Sequence, residues 1–326
     1  MFPPGPDDRS GRGFWSIMGK YVLKRLAHLI WILLAVSFLT FLLMYLAPGD
    51  AAEKKLNAQG ISVSQEVLER TRQEMGLDRP FLVQYGDWLL GVLRLDLGSS
   101  YKDGFPVGEK LARGLGSTLV LALWSLLLSL AAALPLSLLA ALRRDGPLDR
   151  ILRLLSFVGN SLPGFLLSVL LMYLFCVRLR LLPVLADRSL KGLLLPGLSL
   201  AIPLCSRFLR QFRAEMLEQL GRSYVNGAVT RGVKARYILF RNVLHNASIS
   251  ILTIVGLSVG SLLGGSVVIE TIFRWPGLGK LAMDAIRDRD FPVIQGFVLL
   301  TAVIYVGINL LTDIAYHWVD PRVREE

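Results

Sequence analysis

Few residues in this 326-residue chain are typed and spaced for chemistry. A phosphate-cradling loop needs Gly-x4-Gly-Lys followed by Ser or Thr, so that backbone amides and a lysine surround the phosphates. The nearest stretches fail that test. Gly13-Phe14-Trp15-Ser16-Ile17-Met18-Gly19-Lys20-Tyr21 has the wrong spacing and no terminal hydroxyl, and Gly277-Leu278-Gly279-Lys280 lacks a preceding strand. Neither HExxH nor CxxC occurs. Cys176 and Cys205 sit in apolar sequence and read as buried fillers, not disulfide partners or metal ligands. His28, His245 and His317 are scattered. The chain is expected to be no enzyme, to bind no metal and to hold no cofactor of its own.

The charged residues among apolar runs are more telling. Asp313 lies inside the apolar stretch Val293–Trp318, where a carboxylate is costly unless a cation meets it. Arg207, Arg210 and Arg213 follow at three-residue intervals. Snorkelling at an interface is their plain role; the sharper expectation is an ion pair of Asp313 with Arg207 or Arg210. From residue 207 to 250 the cations also include Arg222, Arg231, Lys234, Arg236 and Arg241, against Glu215 and Glu218 alone. A short segment between membrane helices with that bias faces the cytoplasm. Within it, Ala228 and Gly232 stand one helical turn apart beside Val225 and Val229. Small residues admit another backbone, and Gly232 can end a short helix in the left-handed conformation. The segment reads as a helical knuckle offered to a cytoplasmic partner.

The elements that must position these residues are apolar helices. With 53% hydrophobic residues and a mean hydropathy of +0.52, the chain is too apolar for an ordinary soluble domain. Its net charge of +11 lies mainly beside apolar runs, which fits a membrane surface and argues against nucleic acid. An all-α, polytopic protein with six transmembrane helices and both termini inside is predicted. Residues 1–19 form a disordered cytoplasmic tail, 20–47 the first crossing and 319–326 a cytoplasmic end. Residues 48–115 form an external cap, with helices over Ser64–Met75 and Tyr85–Leu95. Residues 116–318 form the core, its crossings at Leu119–Leu142, Ile151–Val177, Leu193 to about Phe212, Ile249–Ile269 and Val293–Trp318, with a loop over 213–248.

Three details qualify that plan. Arg178, Arg180, Arg188 and Lys191 fall on the predicted outside, so the larger bias of residues 207–241 decides the orientation. Ser161, Pro163 and Gly164 predict a kink in the third crossing, beside a translocation path or as plain packing. Gly256, Gly260 and Gly264 recur four apart on the fifth, for contact with a second membrane subunit or within the same bundle.

Several motifs share one origin. They are Leu46-Ala47-Pro48-Gly49-Asp50, Gly76-Leu77-Asp78-Arg79-Pro80, Leu95-Asp96-Leu97-Gly98 and Ser161-Leu162-Pro163. Glu270-Thr271-Ile272-Phe273-Arg274-Trp275-Pro276-Gly277-Leu278-Gly279, Asp290-Phe291-Pro292-Val293-Ile294-Gln295-Gly296 and Asp320-Pro321-Arg322 complete the set. In this order, from Tyr21 to Arg324, the chain resembles inner-membrane permeases of the dipeptide/oligopeptide/nickel ABC importer family. Tyr224–Asn246 is similar to their cytoplasmic coupling loop. Two departures stand out: Asn226-Gly227 replaces a more polar, better helix-forming pair, and Ser250 stands where a proline often closes the loop.

The resemblance implies the type I importer permease fold in a bacterial cytoplasmic membrane. It also implies a sister permease in a heterodimer, two ATPases binding ATP and Mg, an external solute-binding protein and surrounding lipid. Tyr224, Val225, Ala228, Val229, Arg231, Gly232 and Lys234 would then couple to the ATPase. Asn57–Ser64, Gln84–Leu89 and Ser100-Tyr101 lean toward the nickel and metallophore branch, and the solute is a peptide, nickel or a nickel chelate. The other class, a carrier or channel driven by an ion gradient, would want ionisable residues at mid-membrane.

Overall fold

The computed structural model describes residues 29–47, 49–58, 64–186 and 189–319, the last stretch by its backbone alone beyond residue 310. The tail 1–19, the start of the first crossing, the side chains of residues 57–63, Arg188 and residues 320–326 lie outside the described residues. Every regular element described is a helix, apart from an isolated bridge between Ser99 and Pro106. The helices are α1 (Leu29–Leu46), α2 (Ala51–Ala58), α3 (Gln65–Glu74), α4 (Phe81–Leu93), α5 (Val107–Leu142), α6 (Pro147–Ser161) and α7 (Gly164–Met172). They continue with α8 (Leu190–Leu220), α9 (Ser223–Thr230), α10 (Ala235–Tyr237), α11 (Leu244–Phe273), α12 (Leu278–Asp288) and α13 (Phe291–Val319). Wider π-helical turns follow α7 (Tyr173–Arg178) and α10 (Ile238–Val243).

The chain divides into two compact units, residues 1–108 with 288–314, and residues 109–287 with 315–326. In the first unit, α1 and α4 join through aromatic rings at helical spacing. Phe38, Phe41 and Tyr45 meet Phe81 and Tyr85 edge to face, with centroids 5.2–5.6 Å apart. Helix α3 starts where predicted, the Ser64 hydroxyl accepting from the Val67 amide at 3.3 Å. The loop before α5 is tied to Asp290, which accepts from the Ser100 hydroxyl and from the Tyr101 amide at 2.9 Å. Burial, with the Asp290 charge adding to it, pushes the Tyr101 phenol up to about 12.

In the second unit α8 is the axis. Its apolar stretch is 67% buried, against 6% for α1. Leu200, Leu204, Phe208, Phe212 and Met216 recur every four residues along the buried face, the two Phe rings stacked 5.0 Å apart. Helix α6 packs on it through Leu152, Ser156 and Gly159. Small size matters at Gly159, where a Cβ would strike the Ser206 hydroxyl.

Three predicted boundaries move. Helix α5 begins at Val107, ahead of the apolar run at 119 and the domain border at 115, because its first turns are polar and carry a Glu109–Arg113 pair at 2.9 Å. At 1.5 Å per residue its 36 residues span about 54 Å, more than the roughly 30 Å of a bilayer core. The kink at Ser161–Gly164 is a break: α6 and α7 meet at 100°. Leu162 is extended (ψ 125°), as a residue before proline is driven to be, so α6 ends there and α7 restarts after Pro163. The loop over 213–248 is largely helical, its ends belonging to α8 and α11. Among the described residues four helices have the length and composition of a membrane crossing, or six when each bent pair counts once. The second such pair bends by 43° beside Ser250.

Two buried carboxyl groups shape the second unit. Asp149, fully buried, takes both its oxygens to Arg213, Oδ1 to Nε at 2.6 Å and Oδ2 to Nη2 at 2.7 Å. Glu270, also fully buried, accepts from the Thr118 hydroxyl at 2.8 Å and from the Gly279 and Lys280 amides at 2.7 and 3.2 Å. Thr118 in turn accepts from the Leu278 amide, and Trp275 Nε1 donates to the Ser117 carbonyl at 2.9 Å. Asp149→Ala should lower the unfolding free energy by about 3 kcal/mol, because it strands a half-buried guanidinium. The double variant Asp149→Leu with Arg213→Met should recover most of that loss, both read by thermal unfolding in detergent. A Cβ on Gly277 would fall on the Glu270 carboxyl group. Gly277→Ala should therefore raise proteolytic cleavage at the 274–279 turn, while Gly116→Ala, in open space, should not.

Candidate functional site

Helix α9 is set apart by its ends. Gly221 closes α8, and Arg222 turns extended (ψ 145°) so that the chain reverses into α9. At the other end Gly232 takes φ +74°, while its amide reaches the Val229 carbonyl at 2.9 Å and the Val233 amide reaches Ala228 at 3.1 Å. These bonds close the helix in the left-handed cap expected of Gly232. The strain argument for glycine holds here and the space argument does not, since a Cβ on Gly232 would meet nothing within 4 Å.

The seven predicted coupling residues divide by direction. Val225 and Ala228 (2% exposed) turn inward against Ile238 and Val243, with Leu220, Tyr224, Val233 and Leu239 around them. Within this chain they anchor α9, the small residue facing the chain's own π-helical turn. Tyr224 is half-buried, its hydroxyl donating to Gln219 Oε1 at 3.1 Å. Val229, Arg231, Gly232 and Lys234 are exposed. Arg231 Nε reaches back to the Gly227 carbonyl at 2.9 Å. On the same segment Arg236, Tyr237, Phe240 and Arg241 are exposed, the Arg241 guanidinium 5.8 Å from the Tyr237 ring centre. Gly227, absent from the predicted set, is a helical residue with open space at its Cβ position.

The other predicted residues are less gathered. The Asp313 side chain lies outside the described residues, so its pairing with Arg207 or Arg210 does too. Arg207 is exposed, and Arg210 Nη1 sits 3.4 Å from the Ser156 carbonyl. The residue of that triplet that takes a buried acid is Arg213, with Asp149. Its signal was the run Asp149, Leu152, Ser156, Gly159, one helical face with an acid at its head. Ser161 and Pro163 are exposed at the α6–α7 corner, while a Cβ on Gly164 would lie 3.7 Å from the Ile269 side chain, in ordinary contact. Cβ atoms on Gly256 and Gly264 would meet nothing within 4 Å among the described residues.

Glu270 was missed as a site because its hydroxyl partner, Thr118, lies far along the chain and its nearer partners, Gly279 and Lys280, serve it through backbone amides that no residue type signals. Gly256-Leu257-Ser258-Val259-Gly260 has the spacing of a serine nucleophile turn, but lies in helix α11 beyond its bend, in continuous helical backbone. The Ser258 hydroxyl donates to the Ile254 carbonyl at 2.8 Å, and no sharp strand-to-helix turn exposes it. Among the described residues no three of His, Cys, Asp or Glu gather as a metal site.

The family described as binding-protein-dependent transport system inner membrane component matches residues 133–325, and its N-terminal counterpart matches residues 18–122. A probable peptide ABC transporter permease of Sinorhizobium fredii is 37% identical over 315 residues, covering 94% of this chain and 100% of the relative. A putative peptide transport system permease of Brucella melitensis is 39% identical, with 94% and 99% covered. The glutathione transport system permease GsiC of Salmonella choleraesuis is 38% identical over 307 residues, again 94% and 99%. The inward-facing MetNI methionine ABC transporter shares the fold at TM-score 0.56 and 16% identity, over 64% of this chain and 96% of that one. A helical bundle that holds a short helix two-sided between its fourth and fifth apolar runs thus has its place: the chain belongs to the family of binding-protein-dependent transport system inner membrane components.

Proposed function

We propose that this ABC importer permease subunit carries short peptides and is driven by a separate ATPase seated on the exposed side of α9. The observation that carries the reading is the two-sidedness of that helix. One side is locked by Val225 and Ala228 onto Ile238 and Val243; the other presents Asn226, Val229, Thr230 and a basic, aromatic surround. A helix anchored this way moves with its own core, so a displacement of the ATPase is passed toward α8 and α11 instead of being absorbed by slack chain. Gly227, with nothing above it, is the point of closest approach. ATP and Mg belong to the ATPase in this reading.

The family description supports an external solute-binding protein, and the open stripe at Gly256 and Gly264 supports a sister permease there, a heterodimer with two ATPases. The basic surround of α9 supports a cytoplasmic placement of it and of both termini. Peptide and glutathione appear in the relatives' names, so we favour a peptide over nickel or a nickel chelate. A carrier driven by an ion gradient would need carboxyl groups free to exchange ions. Asp149 and Glu270 are instead engaged by Arg213 and by backbone and hydroxyl donors.

Gly227→Leu should leave thermal unfolding of the subunit unchanged yet weaken co-purification of the ATPase by about tenfold or more. Normal association in that variant overturns the docking face. Gly232→Ala should instead cost the subunit roughly 1–2 kcal/mol through left-handed strain. A cysteine at Asn226 should react with an impermeant thiol reagent in inside-out vesicles and not in intact cells. Labelling from outside would reverse the orientation and end the reading.

A further inference from the structure

The first unit encloses a cavity of about 790 Å³, within the span of small-molecule sites. Its wall joins the ends of α1 and α4 to α2, α3, the loop before α5 and the start of α13. Two kinds of group line it. Phe41, Tyr45 and Trp88 bring aromatic rings from α1 and α4, and Tyr101 and Phe291 bring two more, 6.4 Å apart. The acids are Asp50, Glu53, Glu74, Asp87 and Asp96, against the two cations Arg72 and Arg79. On a chain of net charge +11 this is a reversal of sign.

The pairing within the wall leaves a definite remainder. Arg72 is taken by Asp50 at 2.7 Å and Arg79 by Asp87 at 3.0 Å, while Glu74 meets Arg70 at 3.2 Å. Arg289, beside Gly49, points its Nη1 at the Ala47 carbonyl. Among the described residues no cation pairs with Glu53 or Asp96. Asp96 gives one oxygen to the Gly98 amide at 2.8 Å and keeps the other. Carboxylates without counter-cations, in a cavity also lined by the exposed Tyr45 ring and the partly buried Trp88 ring, are what an organic ammonium group requires, by charge and by cation–π attraction.

We propose that this cavity binds the α-ammonium end of a short peptide, with Glu53 and Asp96 as its counter-charges and the Phe41, Tyr45 and Trp88 rings as its wall. The ammonium class follows from the wall alone; the choice of a peptide as its bearer rests on the importer reading. Both carboxylates face open volume, so the charge-neutral variants keep the fold, and Asp96→Asn retains the oxygen that caps Gly98.

The test is calorimetric titration of the complete transporter in nanodiscs, without nucleotide or binding protein, using alanyl-alanine, its N-acetylated form and its C-terminal amide. The free dipeptide and the amide should bind alike, and acetylation should weaken binding by about tenfold or more. The Glu53→Gln, Asp96→Asn double variant should bind alanyl-alanine as weakly as the wild type binds the acetylated form, at an unchanged unfolding midpoint. Equal binding of the free and acetylated peptides overturns the proposal. So does wild-type affinity in the double variant, or no binding of alanyl-alanine in the millimolar range. Because the titration needs no ATPase docking, these outcomes are separate from those that test the α9 face.

Discussion

A polar group placed deep among apolar helices must find its partners inside the protein, and Glu270 shows how far this chain goes to supply them. Its carboxyl group receives a hydroxyl from α5 and two amides from the first turn of α12. The same amides are the ones a helix start leaves unpaired, so one side chain answers two needs, its own desolvation and the capping of α12. Gly277 and Gly279 are required by the closeness of this arrangement. A Cβ on Gly279 would come within 2.5 Å of the Val267 backbone. Trp275, 1% exposed, is fixed to Ser117 by the same turn. The end of α11, the start of α12 and the stretch of α5 around Thr118 therefore stand or fall together.

The same economy appears at the opposite kind of site. Asp149 and Arg213 meet bidentately where α6 lies on α8, and the pair sets the register of those helices more than it adds net stability. With α8 as axis and α6 held to it, the reversal after Gly221 delivers α9 to a fixed place. Nothing about α9 itself is chemically reactive. Its worth is geometric: a short rigid piece with one side spoken for and the other free.

Much of this was legible from the residues. Apolar length gave away the long apolar helices, the Ser64 cap and the Leu162-Pro163 break could be placed, and the basic bias singled out the segment that carries α9. Direction was harder. Ala228 and Gly227 are adjacent small residues in a helix of eight, and only the packing of Ile238 and Val243 decides which of the two faces inward. The early start of α5 was hidden because its first turns carry Glu109, Lys110 and Arg113 and look like loop. Asp149 was hidden inside a charged turn, and Glu270 inside a motif whose hydroxyl partner, Thr118, is 152 residues away. Periodicity finds faces; it does not find which face of a distant helix will meet them.

The aromatic seam between α1 and α4 bears on how the molecule is made. Ser37 and Thr40 satisfy their hydroxyls on the carbonyls of Leu34 and Val36, within α1 itself. A newly synthesised α1 is thus already complete in hydrogen bonding and can enter lipid unaccompanied. Its rings at Phe38, Phe41 and Tyr45 gain their neighbours only when Phe81 and Tyr85 have left the ribosome. Insertion of α1 and closure of the α1–α4 seam are therefore separate events in biogenesis, the second timed by translation of the residues between them.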